Sequence, residues 1–123
     1  VDSDDIWLPE KLEKQVAELE ANPDKAMLFS SVDIIDEQNQ VINDRHKELY
    51  HFYNKDQGSH KDWLQFFFFE GNSLIQSTML YRASLLQEIG YFNLCYLQAH
   101  DFDFFLRVAK KYEFLFSSEK LVR

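Results

Sequence analysis

Val1-Asp2-Ser3-Asp4-Asp5-Ile6-Trp7-Leu8-Pro9-Glu10-Lys11-Leu12 is the stretch on which the reading of this chain turns. It begins as the end of a strand, passes Asp2, Asp4 and Asp5 in quick succession, and then enters a helix. Pro9 suits the first helical turn, where a missing N–H leaves no intrahelical bond unmade. Leu8, Leu12, Val16 and Leu19 recur at helical spacing, which predicts one apolar stripe. Glu10 and Lys14 stand four apart as a favourable charge pair, and Asn22-Pro23 ends the helix.

Three carboxylates packed this closely either raise one another's pKa or gather a cation. Hard divalent ions such as Mg²⁺ and Mn²⁺ take one or two carboxylates and complete their shells with water and phosphate oxygens. The stretch therefore suits a metal that bridges a substrate diphosphate. The plainer reading has Asp4 or Asp5 capping the helix and the others in solvent, and spacing leaves both open. A calcium loop of the EF-hand type fails, because Trp7 falls where the turn requires glycine. An aspartyl-phosphate phosphotransferase with Asp2 as nucleophile fits poorly, for want of its partner lysine motif.

Outward from this stretch, strands and helices alternate. Ala26 to Ile35 is apolar and β-branched and predicts a strand, with Val41-Ile42 pairing back after a polar turn at Glu37 to Gln40. Asp44 to His60 lacks periodicity and reads as a long loop holding a short helix. Lys61 to Phe69 reads as a helix and Leu74 to Tyr81 as a second strand. Ser84 and Gln87 have capping-box spacing before a short helix that Gly90 stops. Asp101 to Tyr112 is a strong helix with Phe102, Phe105, Leu106 and Ala109 as its buried stripe, and Phe114 to Ser117 is a short last strand. The class is α/β, one structural unit over residues 1–123.

With 123 residues the chain can bury a real core. Its 21 acidic against 13 basic residues give a net charge of −8, which disfavours a nucleic-acid partner. Cys95 is the one cysteine, so no intrachain disulfide exists, and it reads as a small buried hydrophobe. No apolar run reaches the roughly 18–20 residues that span a bilayer. The chain opens and closes in what read as mid-element, so a piece of a longer protein is expected.

A second acidic site lies at His100-Asp101-Phe102-Asp103. The helix dipole and free amides hold an N-terminal aspartate ionised, which suits a general base; the plainer reading makes Asp101 an ordinary N-cap. Arg107 faces away from the apolar stripe and should pair with a neighbouring carboxylate.

Taken together, four segments in order resemble family 2 glycosyltransferases. The opening stretch resembles that family's strand-end Asp-x-Asp and Pro-led helix. Phe69-Glu70-Gly71-Asn72-Ser73-Leu74-Ile75 resembles the segment before the acceptor-side strand. Leu80 to Phe92 resembles its run of arginine, short helix and glycine-aromatic-Phe, and His100 to Ala109 the motif that supplies the base. The resemblance implies a partial GT-A fold, a mixed sheet flanked by helices and lacking the N-terminal nucleotide-binding half. Residues 1–12 would be the metal loop and 98–112 the base helix.

That resemblance also implies chemistry. Asp4 or Asp5 would be the primary ligand of Mn²⁺ or Mg²⁺, with Asp2 beside them facing metal, ribose or diphosphate. Asp101 would be the base of an inverting transfer from a nucleotide-sugar donor to a saccharide or lipid-linked acceptor. Asn72, His100 and Asp103 would lie on the substrate side, with Asp103 supporting or capping. Tyr50, Tyr53 and Trp63 would either stack on sugar or pack in the core, and Phe66 to Phe69 would pack or touch a membrane. The expected setting is cytoplasmic, at the inner face of a membrane. A piece without its nucleotide-binding half should be inactive and prone to self-association. The rival of another class is a non-catalytic carbohydrate- or protein-binding module.

Overall fold

A computed structural model of the chain describes residues 4–123. The elements are α1 (Lys11–Ala21), β1 (Met27–Val32), α2 (Lys47–Tyr53), α3 (His60–Phe69), β2 (Leu80–Tyr81), α4 (Ser84–Ile89), α5 (His100–Ala109) and β3 (Phe114–Val122). The strands form one mixed sheet in the order β2-β1-β3, with β1 antiparallel to β2 and parallel to β3. Every residue of β1 is buried, Ser30 and Ser31 included, as befits a central strand covered on both faces.

Parallel strands end together, and here Val32 of β1 lies opposite Val122 of β3. The segment before α1 then runs antiparallel along the outer side of β3. Ile6 N donates to Arg123 O at 2.7 Å, Arg123 N to Ile6 O at 2.9 Å and Leu8 N to Leu121 O at 3.0 Å. Asp4 and Asp5 thus arrive at the carboxyl end of the parallel pair. Helix α5 packs on β1 through Phe105 and Phe29, whose ring centroids are 5.1 Å apart. It then returns through Lys110–Glu113 to Phe114, which stands opposite Met27 at the start of β1. Its first turn, with Asp101, therefore points to that same carboxyl end.

The core is aromatic. Met27, Phe29, Trp63, Phe67, Phe104, Phe105, Val108 and Phe114 form its centre. Trp63 is fully buried and meets Phe66, Phe67, Phe114 and Phe116. Among the described residues, no helix is long and apolar enough to cross a membrane.

Several elements differ from the sequence reading, each for a physical reason. On α1 the buried row is Lys11, Gln15 and Leu19, while Leu12 and Val16 are exposed at 50% and 44%. Polar groups that find partners can displace apolar ones from an interface, and Gln15 finds a backbone carbonyl. Lys14 reaches across to Glu119 of β3 at 2.9 Å, and Glu10 adds a weaker favourable charge to it. On α5 the buried row is Phe104, Phe105, Val108 and Ala109, with Phe102 and Leu106 at its margin.

The second strand shrinks to Leu80–Tyr81 because residues 76–78 coil into a 3-10 turn, closed when Thr78 Oγ1 donates to Ile75 O. Ser84 is inside α4 and caps nothing; the capping box is instead Ser59 with Asp62, at the start of α3. Gly90 does end α4, at φ +84°, a conformation that β-carbons disfavour. The final strand continues to Val122, and Cys95 is exposed.

Candidate functional site

The backbone that follows Asp4 and Asp5 is fixed, and the side chains of these two residues are free among the described residues. Ile6 and Leu8 are locked to β3 by the ladder bonds above, and Trp7 bridges Val122. Just before them Asp4 is exposed and Asp5 half-buried. Neither makes a side-chain hydrogen bond or ion pair among the described residues. Asp2 lies outside the described residues. No group of three or more His, Cys, Asp or Glu side chains is gathered for a metal among the described residues. Asp4 and Asp5 do offer the hard, unpaired oxygen donors that Mg²⁺ and Mn²⁺ prefer, so the donor chemistry fits such an ion.

At the start of α5 the carboxylates divide. Asp103 is committed: Arg107 holds it at 2.8 Å through Nη2 and 2.9 Å through Nε. The same guanidinium donates to Ile89 O at 2.6 Å and Tyr91 O at 2.9 Å, tying the end of α4 to α5. The expected pairing of Arg107 with a carboxylate is therefore present. Asp101 is not the N-cap, since that position is Ala99 and no side chain caps the helix. It sits in the first turn, half-buried, with no hydrogen bond or ion pair among the described residues. His100 packs its ring against Phe92, with centroids 5.9 Å apart.

Two other candidates have local duties. Asn72 Oδ1 accepts from Leu74 N at 2.9 Å and shapes the bend that leads to the 3-10 turn. Trp63 has no exposed surface, so its indole has no face to stack on a sugar; that expectation is corrected. The Phe run splits: Phe67 is core, whereas Phe68 and Phe69 are 80% and 70% exposed.

Sequence reasoning missed a polar cluster at the carboxyl end of β1. Asp33 follows the strand directly, and Lys120 of β3 pairs with it at 3.0 Å while Asn43 Nδ2 donates to it at 2.8 Å. Hydrogen bonding to Asp33, and then to Tyr50, raises the Lys120 pKa. Asn54 receives Val32 N and returns a bond to Val32 O, squaring off the strand end. An open cleft of about 440 Å³ lies here, lined by Asn43, Lys47, Tyr50, His51 and Lys120 among others. Asp4, Asp5 and Asp101 do not line it. The available signal was a carboxylate immediately after a buried strand.

In open α/β sheets ligands bind beyond the carboxyl ends of the strands, and Asp4 and Asp5, free among the described residues, stand at that end here. Comparison with known proteins narrows the class. A family model, described as glycosyltransferase like family 2, matches residues 1–122, and the chain belongs to that family. It is also 30% identical, over 124 aligned positions covering all of this chain, to the uncharacterized glycosyltransferase MJ1057 of Methanocaldococcus jannaschii. The chain spans 39% of that relative's length.

Proposed function

We propose that this chain is the metal- and acceptor-side part of an inverting, metal-dependent glycosyltransferase, with Asp101 as its general base. The observation that carries the reading is the division of labour on α5. Asp103 is neutralised by Arg107 and spent on structure, whereas Asp101, two residues before it, is left half-buried and, among the described residues, unpaired. A base needs a free carboxylate within reach of the acceptor hydroxyl.

In this mechanism Asp101 accepts the proton of the acceptor hydroxyl as that oxygen attacks the anomeric carbon. The bond from that carbon to the phosphate oxygen breaks, and the nucleoside diphosphate departs with inversion. Asp4 and Asp5, with Asp2 beside them, would hold Mg²⁺ or Mn²⁺. When bound there, such an ion would offset the charge that grows on the leaving diphosphate. Exposed Asp4 and half-covered Asp5 are both free to contribute. The donor is a nucleotide sugar and the acceptor a saccharide or lipid-linked hydroxyl, met on the cytoplasmic side.

The test is a pair of variants in the whole protein, assayed with Mn²⁺ and a panel of sugar nucleotides. Asp101→Asn should lower transfer by roughly 10²–10⁴-fold, the range of a lost general base, and leave donor affinity within about twofold. Asp103→Asn should act chiefly on stability. Equal loss of transfer and donor binding in Asp101→Asn would contradict its role as base.

A further inference from the structure

Behind the acidic segment lies a buried polar arrangement that the transfer chemistry leaves unused. Lys11 is 1% exposed and Gln15 fully buried. The Lys11 ammonium lies 4.1 Å from the centroid of the Trp7 ring and donates to Gln15 Oε1 at 2.6 Å. Gln15 Nε2 donates in turn to Thr78 O at 2.6 Å. Trp7 Nε1 donates to Ser77 O at 2.9 Å, in the same 3-10 turn. The ring, the ammonium, the amide and the turn close a loop of contacts.

No carboxylate lies within ion-pairing distance of Lys11 among the described residues. Burial lowers its pKa from 10.5 to about 8. A buried ammonium without a counter-ion is a costly way to fill space, and a methionine would fill it more cheaply. The same helix leaves Leu12 and Val16 in solvent. Lys11 is therefore placed for a directional contact rather than for packing. That contact is with a ring that is itself 40% exposed, so burial alone does not hold it. A cation over an indole face contributes about 0.5–2 kcal/mol and fixes orientation.

Trp7 stands two residues after Asp5, and its side chain ties the segment to α1 and the Gln76–Thr78 turn, beside the backbone bonds of Ile6 and Leu8 to β3. We infer that Lys11 and Gln15 are positioning residues: they clamp Trp7 between α1 and the Gln76–Thr78 turn, and so hold the Asp4–Asp5 carboxylates at one place beyond the end of β3. The clamp rests on the metal-site reading above for its purpose and on the contacts themselves for its existence. It acts through Trp7 and touches no substrate.

The experiment compares wild type, Lys11→Met and Gln15→Leu by hydrogen exchange of the Trp7 indole N–H and by Mn²⁺ titration calorimetry. Both variants keep an apolar body of similar size, and unchanged exchange at the Leu28 and Phe29 amides verifies the fold. Exchange at Trp7 should quicken at least about tenfold in each variant, as local opening becomes easier. Mn²⁺ affinity should fall roughly tenfold, the low end of what supporting partners contribute to metal sites. Unchanged Trp7 exchange in both variants overturns the clamp. Faster exchange with unaltered Mn²⁺ affinity overturns its positioning role. A wild type that takes up no Mn²⁺ overturns the metal-site reading instead, and Trp7 exchange then decides the clamp alone.

Discussion

The two faces of β1 are equally buried and differ in what packs on them. Side chains alternate along a strand, so Met27 and Phe29 share one face while Leu28, Ser30 and Val32 share the other. The first face looks into Trp63, Phe104, Phe105 and Phe114. The second is the side on which α1 packs, bringing Lys11, Gln15 and Leu19. Aromatic burial is non-directional and grows with area, with edge-to-face pairs such as Phe29 and Phe105 adding a little more. The α1 face contains contacts that work at one geometry only. Both faces bury apolar side chains, and the α1 face adds directional contacts to them that reach Trp7, just after Asp4 and Asp5.

The largest expected effect is on the aromatic side. Phe105→Ala removes a fully buried ring that packs edge-on to Phe29, and should cost about 3–5 kcal/mol. The shift of the urea midpoint measures it. A cost below about 1 kcal/mol would mean that the aromatic face contributes little to stability and would break the comparison.

The next effect is pH-dependent and belongs to the α1 face. The Lys11 pKa is about 8 in the folded chain against 10.5 ordinarily, through desolvation. Below pH 8 the ammonium is charged in both states, and its burial cost is fully present. Between 8 and 10.5 the unfolded chain holds the proton and the folded chain does not, so wild type gains stability as pH rises. Lys14, Lys25 and Lys120, whose pKa values are raised by carboxylate partners, work in the opposite sense. The difference between wild type and Lys11→Met cancels their contribution. Wild type should gain roughly 1–3 kcal/mol on that variant from pH 7.5 to 10.5. A flat difference would show that Lys11 is solvated and its face no more polar than any surface.

What could be read from residues alone follows the same divide. Helix α3 begins one residue before Lys61 and ends at Phe69 as its apolar run suggests, because its fate is decided by local signals. Gly90 likewise marks the end of α4. On α5 the expected stripe is only shifted, with Phe105 and Ala109 buried and Phe102 and Leu106 at the margin; on α1 only Leu19 of it is buried, since periodicity ranks residues by hydropathy and is blind to a carbonyl far along the chain. Nothing near Gln15 in sequence announces Thr78 O. The last strand is expected to stop at Ser117, yet it continues to Val122, pairs with β1 across irregular register and seats Lys120 against Asp33. The family came from short motifs whose order survives in sequence. The commitment of Asp103 and the freedom of Asp101 did not, because they depend on where Arg107 reaches.

The smallest effect is also the most discriminating one for α1. If Leu12 and Val16 formed the packed stripe that their spacing suggests, Leu12→Ala would remove core and cost about 2–5 kcal/mol. In the structure both side chains lie on the solvent side of the helix, where substitutions shift stability by about 0.5 kcal/mol or less. Leu12→Gln and Val16→Gln should therefore leave the urea midpoint almost unmoved, and replacing β-branched Val16 removes a small helix penalty. A loss above about 2 kcal/mol in either would reverse the assignment of faces, putting Lys11 and Gln15 in solvent and leaving Trp7 without its clamp. An unmoved midpoint keeps the buried face of α1 on the Lys11–Gln15–Leu19 row, where the directional contacts to Trp7 and Thr78 lie.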